Sequence, residues 1–153
     1  MDCLKRFRLT GSIEVRILDK LSESENEKIV RKAYELLLLN DIDSLTDMFT
    51  DDFIWVRASN TEWGIEAFRR YSARDSNVFP DANIDIKRVI AKGSTVVAEY
   101  LWSGTHKEEV YGIPASNKKI EVPYVDIFDF IDGKIKLWKT YCNVELYKKQ
   151  MSE

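Results

Sequence analysis

After Pro80 the apolar residues of this chain stop recurring every three or four positions and begin to alternate. Ile84, Ile86, Val89 and Ile90 predict one strand, Thr95 to His106 a long second, Ile120 to Ile131 a third and Lys134 to Asn143 a fourth. Alternation places successive side chains on opposite faces of a strand, so each run offers one face to a core. Asp132-Gly133 between the last two runs is a strong two-residue hairpin signal. A proline keeps the residue before it out of the helical region, so Phe79-Pro80 marks the boundary.

Before Pro80 the period is helical. Val30, Ala33, Tyr34 and Leu37 fall on one face of a helix expected to start near Ser24, where Ser24 with Glu27 fits a capping box, and to end near Asn40. Asp43 is expected to cap a short second helix carrying Leu45, Met48 and Phe49. Phe53, Trp55 and Arg57 alternate with Ile54 and Val56 in a short strand, residues 58–62 read as a loop, and Gly64 to Ala73 reads as a third helix. Val144 to Gln150 predicts a last short helix. Helices followed by an antiparallel meander define an α+β fold. Residues 1–24 read as an N-terminal extension, with a short strand over 12–18 where Ile13, Val15 and Ile17 alternate; residues 25–153 form the domain.

A chain of 153 residues is one domain. It buries roughly 70% of its unfolded surface, enough for a core without staples. Its net charge of -3 gives no basic face of the kind that releases counterions from phosphates, which argues against nucleic acid as a partner. No apolar run reaches the length of a membrane span, and the basic start lacks the features of a secretory leader, so no membrane association is expected. Cys3 and Cys142 form neither a disulfide framework nor a metal set, and they suit the cytoplasm. No metal and no cofactor are implied.

The ordered motifs carry more information than any one of them. A capped helix, a short helix, a Trp-containing strand and a helix opened by Gly64 are followed by Phe79-Pro80-Asp81, Gly104-Thr105-His106, Gly112-Ile113-Pro114-Ala115, Asp132-Gly133-Lys134-Ile135 and Trp138. This order resembles the SnoaL-like polyketide cyclases of the nuclear transport factor 2-like superfamily, over roughly residues 25–150. The resemblance implies a cone: a curved, mostly antiparallel sheet with N-terminal helices over its concave face, a cavity for a small and largely apolar ligand, and a homodimer formed through the sheet. It also implies isomerase, cyclase or dehydratase chemistry on a carbonyl compound, although members of the superfamily include non-catalytic adaptors.

Residue by residue, His106 matches the histidine of the family's pocket-lining GTH segment. Trp138 to Asn143 resembles the WRDYFD segment of related epoxide hydrolases, with Lys139 in place of the arginine, Thr140 of the first aspartate and Asn143 of the last. An amide forms hydrogen bonds but moves no proton at neutral pH, so Asn143 favours a binding module over an enzyme. His106 is the acid/base candidate, because imidazole titrates near neutrality. Strand alternation sets it on the face of Ala98, Tyr100 and Trp102, opposite Glu99. Tyr141 shares a face with Ile135, Leu137 and Asn143, so it points inward if Asn143 does. A one-residue slip would exchange these faces. His106, Asn143 and Tyr141 are thus the catalytic candidates. Trp55, Trp63, Phe68, Tyr71, Tyr100, Trp102 and Tyr124 are the candidates for the ligand wall. Glu121 and Asp126 fall on opposite faces of their strand, at most one of them points into the cone, and neither is given a role. An enzyme, a ligand-binding module without chemistry and a homodimeric interaction protein with a filled cavity all remain open.

Overall fold

The computed structural model describes residues 11–57 and 61–153. Helix α1 (Gly11–Leu38) leads into α2 (Ile42–Thr46), β1 (Phe49–Val56), β2 (Glu62–Trp63) and α3 (Ile65–Val78). Strands β3 (Asn83–Lys92), β4 (Thr95–Thr105), β5 (Lys119–Ile131) and β6 (Lys134–Cys142) follow, and α4 (Val144–Ser152) ends the order. The strands form one mixed sheet in the order β2-β1-β6-β5-β4-β3. All neighbours are antiparallel except β1 and β6, which run parallel.

The concave face of the sheet is where the helices pack. Along β4 the buried residues Val96, Ala98, Tyr100 and Trp102 alternate with half-exposed ones. Tyr34 of α1 meets Tyr100, Phe128 and Trp138 with ring centroids 5.1–5.9 Å apart. Phe68 of α3 packs edge-on to Phe49, Phe53 and Trp55 of β1. From α4, Tyr147 reaches Phe79 and Trp102. One aromatic core therefore runs from β1 to β4, with the apolar stripe of each helix supplying its cover.

Several elements differ from expectation. Residues 12–18 are helical: α1 is continuous from Gly11, with Ile13, Ile17 and Leu21 following helical spacing on its exposed early turns. Ser24 therefore lies inside a helix and caps nothing. Asp41, not Asp43, caps α2, its carboxylate accepting from the Ser44 N–H at 3.2 Å. Phe49 opens β1, α3 runs five residues beyond Ala73 to Val78, and Glu62-Trp63 forms an edge strand within the expected loop, of which residues 58–60 lie outside the described residues.

The last strand departs from simple alternation. In β6, Ile135 pairs with Phe130 but Leu137 pairs with Asp129, so Lys136 is an extra, bulged residue. Beyond it the inward set is Trp138, Thr140 and Cys142, and Tyr141 turns outward, 47% exposed.

Candidate functional site

Between α1, α3, α4 and the concave sheet lies a cavity of about 400 Å³. Trp55, Phe68, Tyr71, Tyr100, Trp102 and Tyr124 stand around it. Trp63 is set behind this wall, edge-on to Trp55 and Tyr71. Tyr100 and Tyr124, directly paired across β4 and β5, stack with centroids 5.3 Å apart. The wall is rich in aromatic rings, a lining suited to a small molecule with a large hydrophobic part.

Among the polar groups in this wall or just behind it, Asp126, Asp75 and Arg57 are the ionisable side chains with the strongest bearing on chemistry. Asp126 is fully buried on β5, in register with Ala98 on one side and Thr140 on the other. Its Oδ2 accepts from the hydroxyls of Tyr34 at 2.8 Å and Tyr100 at 3.0 Å. Its Oδ1 has no hydrogen-bond partner among the described residues. Tyr100, Trp138 and Thr140 around it line the cavity, and the carboxyl lies directly behind them, outside the lining itself. Burial raises its pKa to about 6, and the polar groups of Tyr34, Thr140, Tyr100 and Trp138 beside it offset part of that rise. The same desolvation, with the adjacent Asp126 charge, pushes both tyrosine hydroxyls upward, so they remain protonated donors.

Asp75 and Arg57 form the second polar region. Asp75, on α3, lines the cavity and carries a buried Oδ1 without a partner among the described residues. Burial raises it to about 6, against the pull of Arg57 and Arg74. Arg57 follows β1 and also lines the cavity. Its guanidinium lies 4.3 Å from the centroid of the Tyr71 ring and 5.2 Å from that of Trp55.

The three residues expected to be catalytic are not brought together at the cavity wall. His106 is fully buried, but it lies beyond the end of β4, beside Phe79, whose ring centroid is 5.8 Å away. Its Nδ1 faces the Ser116 hydroxyl at 3.1 Å and accepts from the Ser116 N–H at 3.3 Å, and its backbone ties the 106–118 loop through Lys118 and Asn117. Asn143 caps α4, its Oδ1 accepting from the Leu146 N–H at 3.0 Å. Tyr141 is on the outer side of the sheet. Sequence reasoning gave no role to Asp126, Asp75 or Arg57. The usable signal was Asp126 on the otherwise apolar face of its strand, two residues from Tyr124 and from Phe128.

Among the described residues no grouping of His, Cys, Asp and Glu is arranged to hold a metal ion, and no helix is long and apolar enough to cross a membrane.

The family model of the SnoaL-like polyketide cyclases matches residues 27–151, and the chain belongs to that family. Solved structures share the fold. A protein named as a SnoaL-like polyketide cyclase from Jannaschia sp. CCS1 is 22% identical, with a TM-score of 0.79 over 85% of this chain and 93% of its own. One named as a polyketide cyclase from Xanthomonas campestris pv. campestris is 24% identical, with a TM-score of 0.79 over 86% and 99%. AclR from Streptomyces galilaeus, named as a hydroxylase, is 18% identical, with a TM-score of 0.74 over 82% and 98%. No curated protein matches the chain. The shared cone therefore carries more than one named activity, and function must be argued from the cavity.

Proposed function

We propose that the protein binds a small aromatic or polyenic carbonyl compound in the cone cavity and catalyses proton transfer at the carbon beside the carbonyl, with Asp126 as the base. The observation that carries this is the Asp126 carboxyl: one oxygen is held by two tyrosine hydroxyls, the other has no hydrogen-bond partner among the described residues, and the wall residues Tyr100, Trp138 and Thr140 stand between it and the cavity. A buried carboxylate with a pKa near 6 is ionised at neutral pH, yet more basic than a solvated one. It takes the proton from the α-carbon, and the electron pair moves into the carbonyl to give an enolate. Return of the proton to a different carbon is isomerisation. Attack of the enolate carbon on a second carbonyl of the same molecule, with that oxygen taking the proton, closes a ring. The Tyr100 hydroxyl, which lines the cavity, orients Asp126 and stands beside the developing charge.

The family supports ring closure as the reaction, and the aromatic residues of the wall would fold a flexible chain toward it. Asn143 does not weigh against catalysis in this reading, because it serves α4 and not the cavity.

The test is exchange of the α-protons of 2-tetralone in deuterium oxide, followed by proton NMR. The protein should accelerate exchange above the buffer rate, and Asp126→Asn should return it to that rate while the folded spectrum persists. Exchange that survives Asp126→Asn unchanged would remove Asp126 as the base.

A further inference from the structure

Arg57 is a permanent cation inside an aromatic cavity, and it has no carboxylate within ion-pair distance among the described residues. Two aromatic faces, Tyr71 and Trp55, hold its guanidinium in place. Asp75, one helical turn beyond Tyr71, is the nearest carboxyl on α3 to influence it, and Asp75 keeps an oxygen unpartnered where a direct bridge would have satisfied it. A guanidinium is costly to desolvate, and its planar fork matches two oxygens of an oxyanion.

The sheet sets the distance between Arg57 and the base. Val56 pairs with Lys139 in the parallel β1–β6 ladder, which brings Arg57 level with Thr140, and Thr140 pairs with Asp126. Trp55 and Arg57 are two apart and both line the cavity, and the Trp55 indole N–H, from the rung of Trp138, reaches across to donate to the Thr140 hydroxyl at 3.1 Å. Arg57 and Asp126 therefore rise from one rung, two strands apart, with backbones separated by about 10 Å.

We infer that Arg57 is the recognition site for a carboxylate on the ligand, so that the molecule taken up is an aromatic keto acid whose carbonyl end meets Asp126 and whose carboxylate end pairs with Arg57. This rests on the reading of the cavity given above and narrows it to an acid rather than its neutral ester. Trp55 and Tyr71 flank the carboxylate end, while Tyr100 and Tyr124 stack beside the carbonyl end. Asp75 is then the internal competitor for Arg57, displaced as counter-charge when the ligand arrives.

The test is binding of 6-acetyl-2-naphthoic acid and of its methyl ester, measured at neutral pH by quenching of the cavity tryptophans. The wild-type protein should prefer the acid by about tenfold or more, as a charge-assisted pair requires. Arg57→Gln should abolish that preference by weakening the acid alone, and Arg57→Lys should restore part of it. Asp75→Asn should tighten the acid and leave the ester unchanged. Equal affinity of acid and ester in the wild type, with both bound, overturns the carboxylate site and leaves the carbonyl-binding cavity standing. A preference that persists in Arg57→Gln, checked as folded by circular dichroism, places the anion elsewhere and also overturns it. Failure of both probes to bind overturns this inference together with the reading it rests on.

Discussion

Tyr100 donates its hydroxyl to Asp126 diagonally across β4 and β5, at 3.0 Å, past the small Ala98 that stands directly opposite the carboxyl. The methyl of Ala98 leaves the space that this diagonal needs. With Tyr34 donating from α1 to the same oxygen, a helix and a strand together fix the orientation of one carboxyl group.

Tyr100→Phe removes one of the donors that restrain the Asp126 pKa, so the carboxyl should titrate above its present value near 6. The acid limb of the exchange rate against pH should move upward, with little loss at the alkaline plateau beyond that caused by the missing hydroxyl. A limb that stays in place would show that Tyr100 does not set the protonation of the base.

Asp126 should also mark stability. Its folded pKa is about 6 against an ordinary 3.8, so the folded state holds this proton more tightly than the unfolded one. Stability contributed by the protonated carboxyl is present below the ordinary value, falls as pH rises from about 4 to about 6, and stays low above that, a change of roughly 3 kcal/mol. Urea unfolding of wild type and Asp126→Asn should agree most closely near pH 4, and the variant should become the more stable of the two by pH 7. A difference independent of pH would contradict the burial of a charge at this site.

Gly104→Ala probes packing and not backbone freedom. A Cβ there would meet the Phe79 Cβ at 3.1 Å and the Trp102 ring at 3.2 Å. Phe79 and Trp102 both line the cavity, so the clash should lower stability by about 1–3 kcal/mol and weaken ligand binding together. Thermal unfolding and fluorescence titration on one sample measure the two effects.

Asn143→Ala should cost about 1 kcal/mol through loss of the α4 cap, and Asn143→Asp should recover it, with the exchange rate of 2-tetralone unaltered in both. A large drop in rate for Asn143→Ala at full folding would return this residue to the active site.

The cone and the antiparallel run of its last four strands were legible in the sequence, and of the residues read as a ligand wall all but Trp63 stand around the cavity. Alternation along β4 is regular from Thr95 to Trp102, so Tyr100 and Trp102 fall on the buried face as counted, whereas His106 lies beyond the end of the strand. The pattern did not reveal that Phe79, just before Pro80, packs beside the imidazole, because that contact crosses from the end of α3 to the end of β4. In β6 the bulge at Lys136 inserts a residue that alternation cannot register, so Tyr141 falls on the opposite face from the one counted from Ile135. Asp126 was visible only as a charge in a strand; its two tyrosine donors come from residues 92 and 26 positions away in the chain. Arg57 gains its meaning from a parallel pairing with β6 that no local pattern encodes.

That parallel pairing also dictates an order of events during synthesis. β1 is made early, yet the strand beside it is the last one of the sheet to be made. Until residues 134–142 leave the ribosome, Phe49, Phe53 and Trp55 have helices to lean on but no strand neighbour on that side. Sheet closure across so long a stretch of chain is slow, and the waiting edge is open to pairing with other chains. The cavity is therefore completed only once β6 has been made, and a nascent chain stopped before β6 should be a client for chaperones that hold apolar strands.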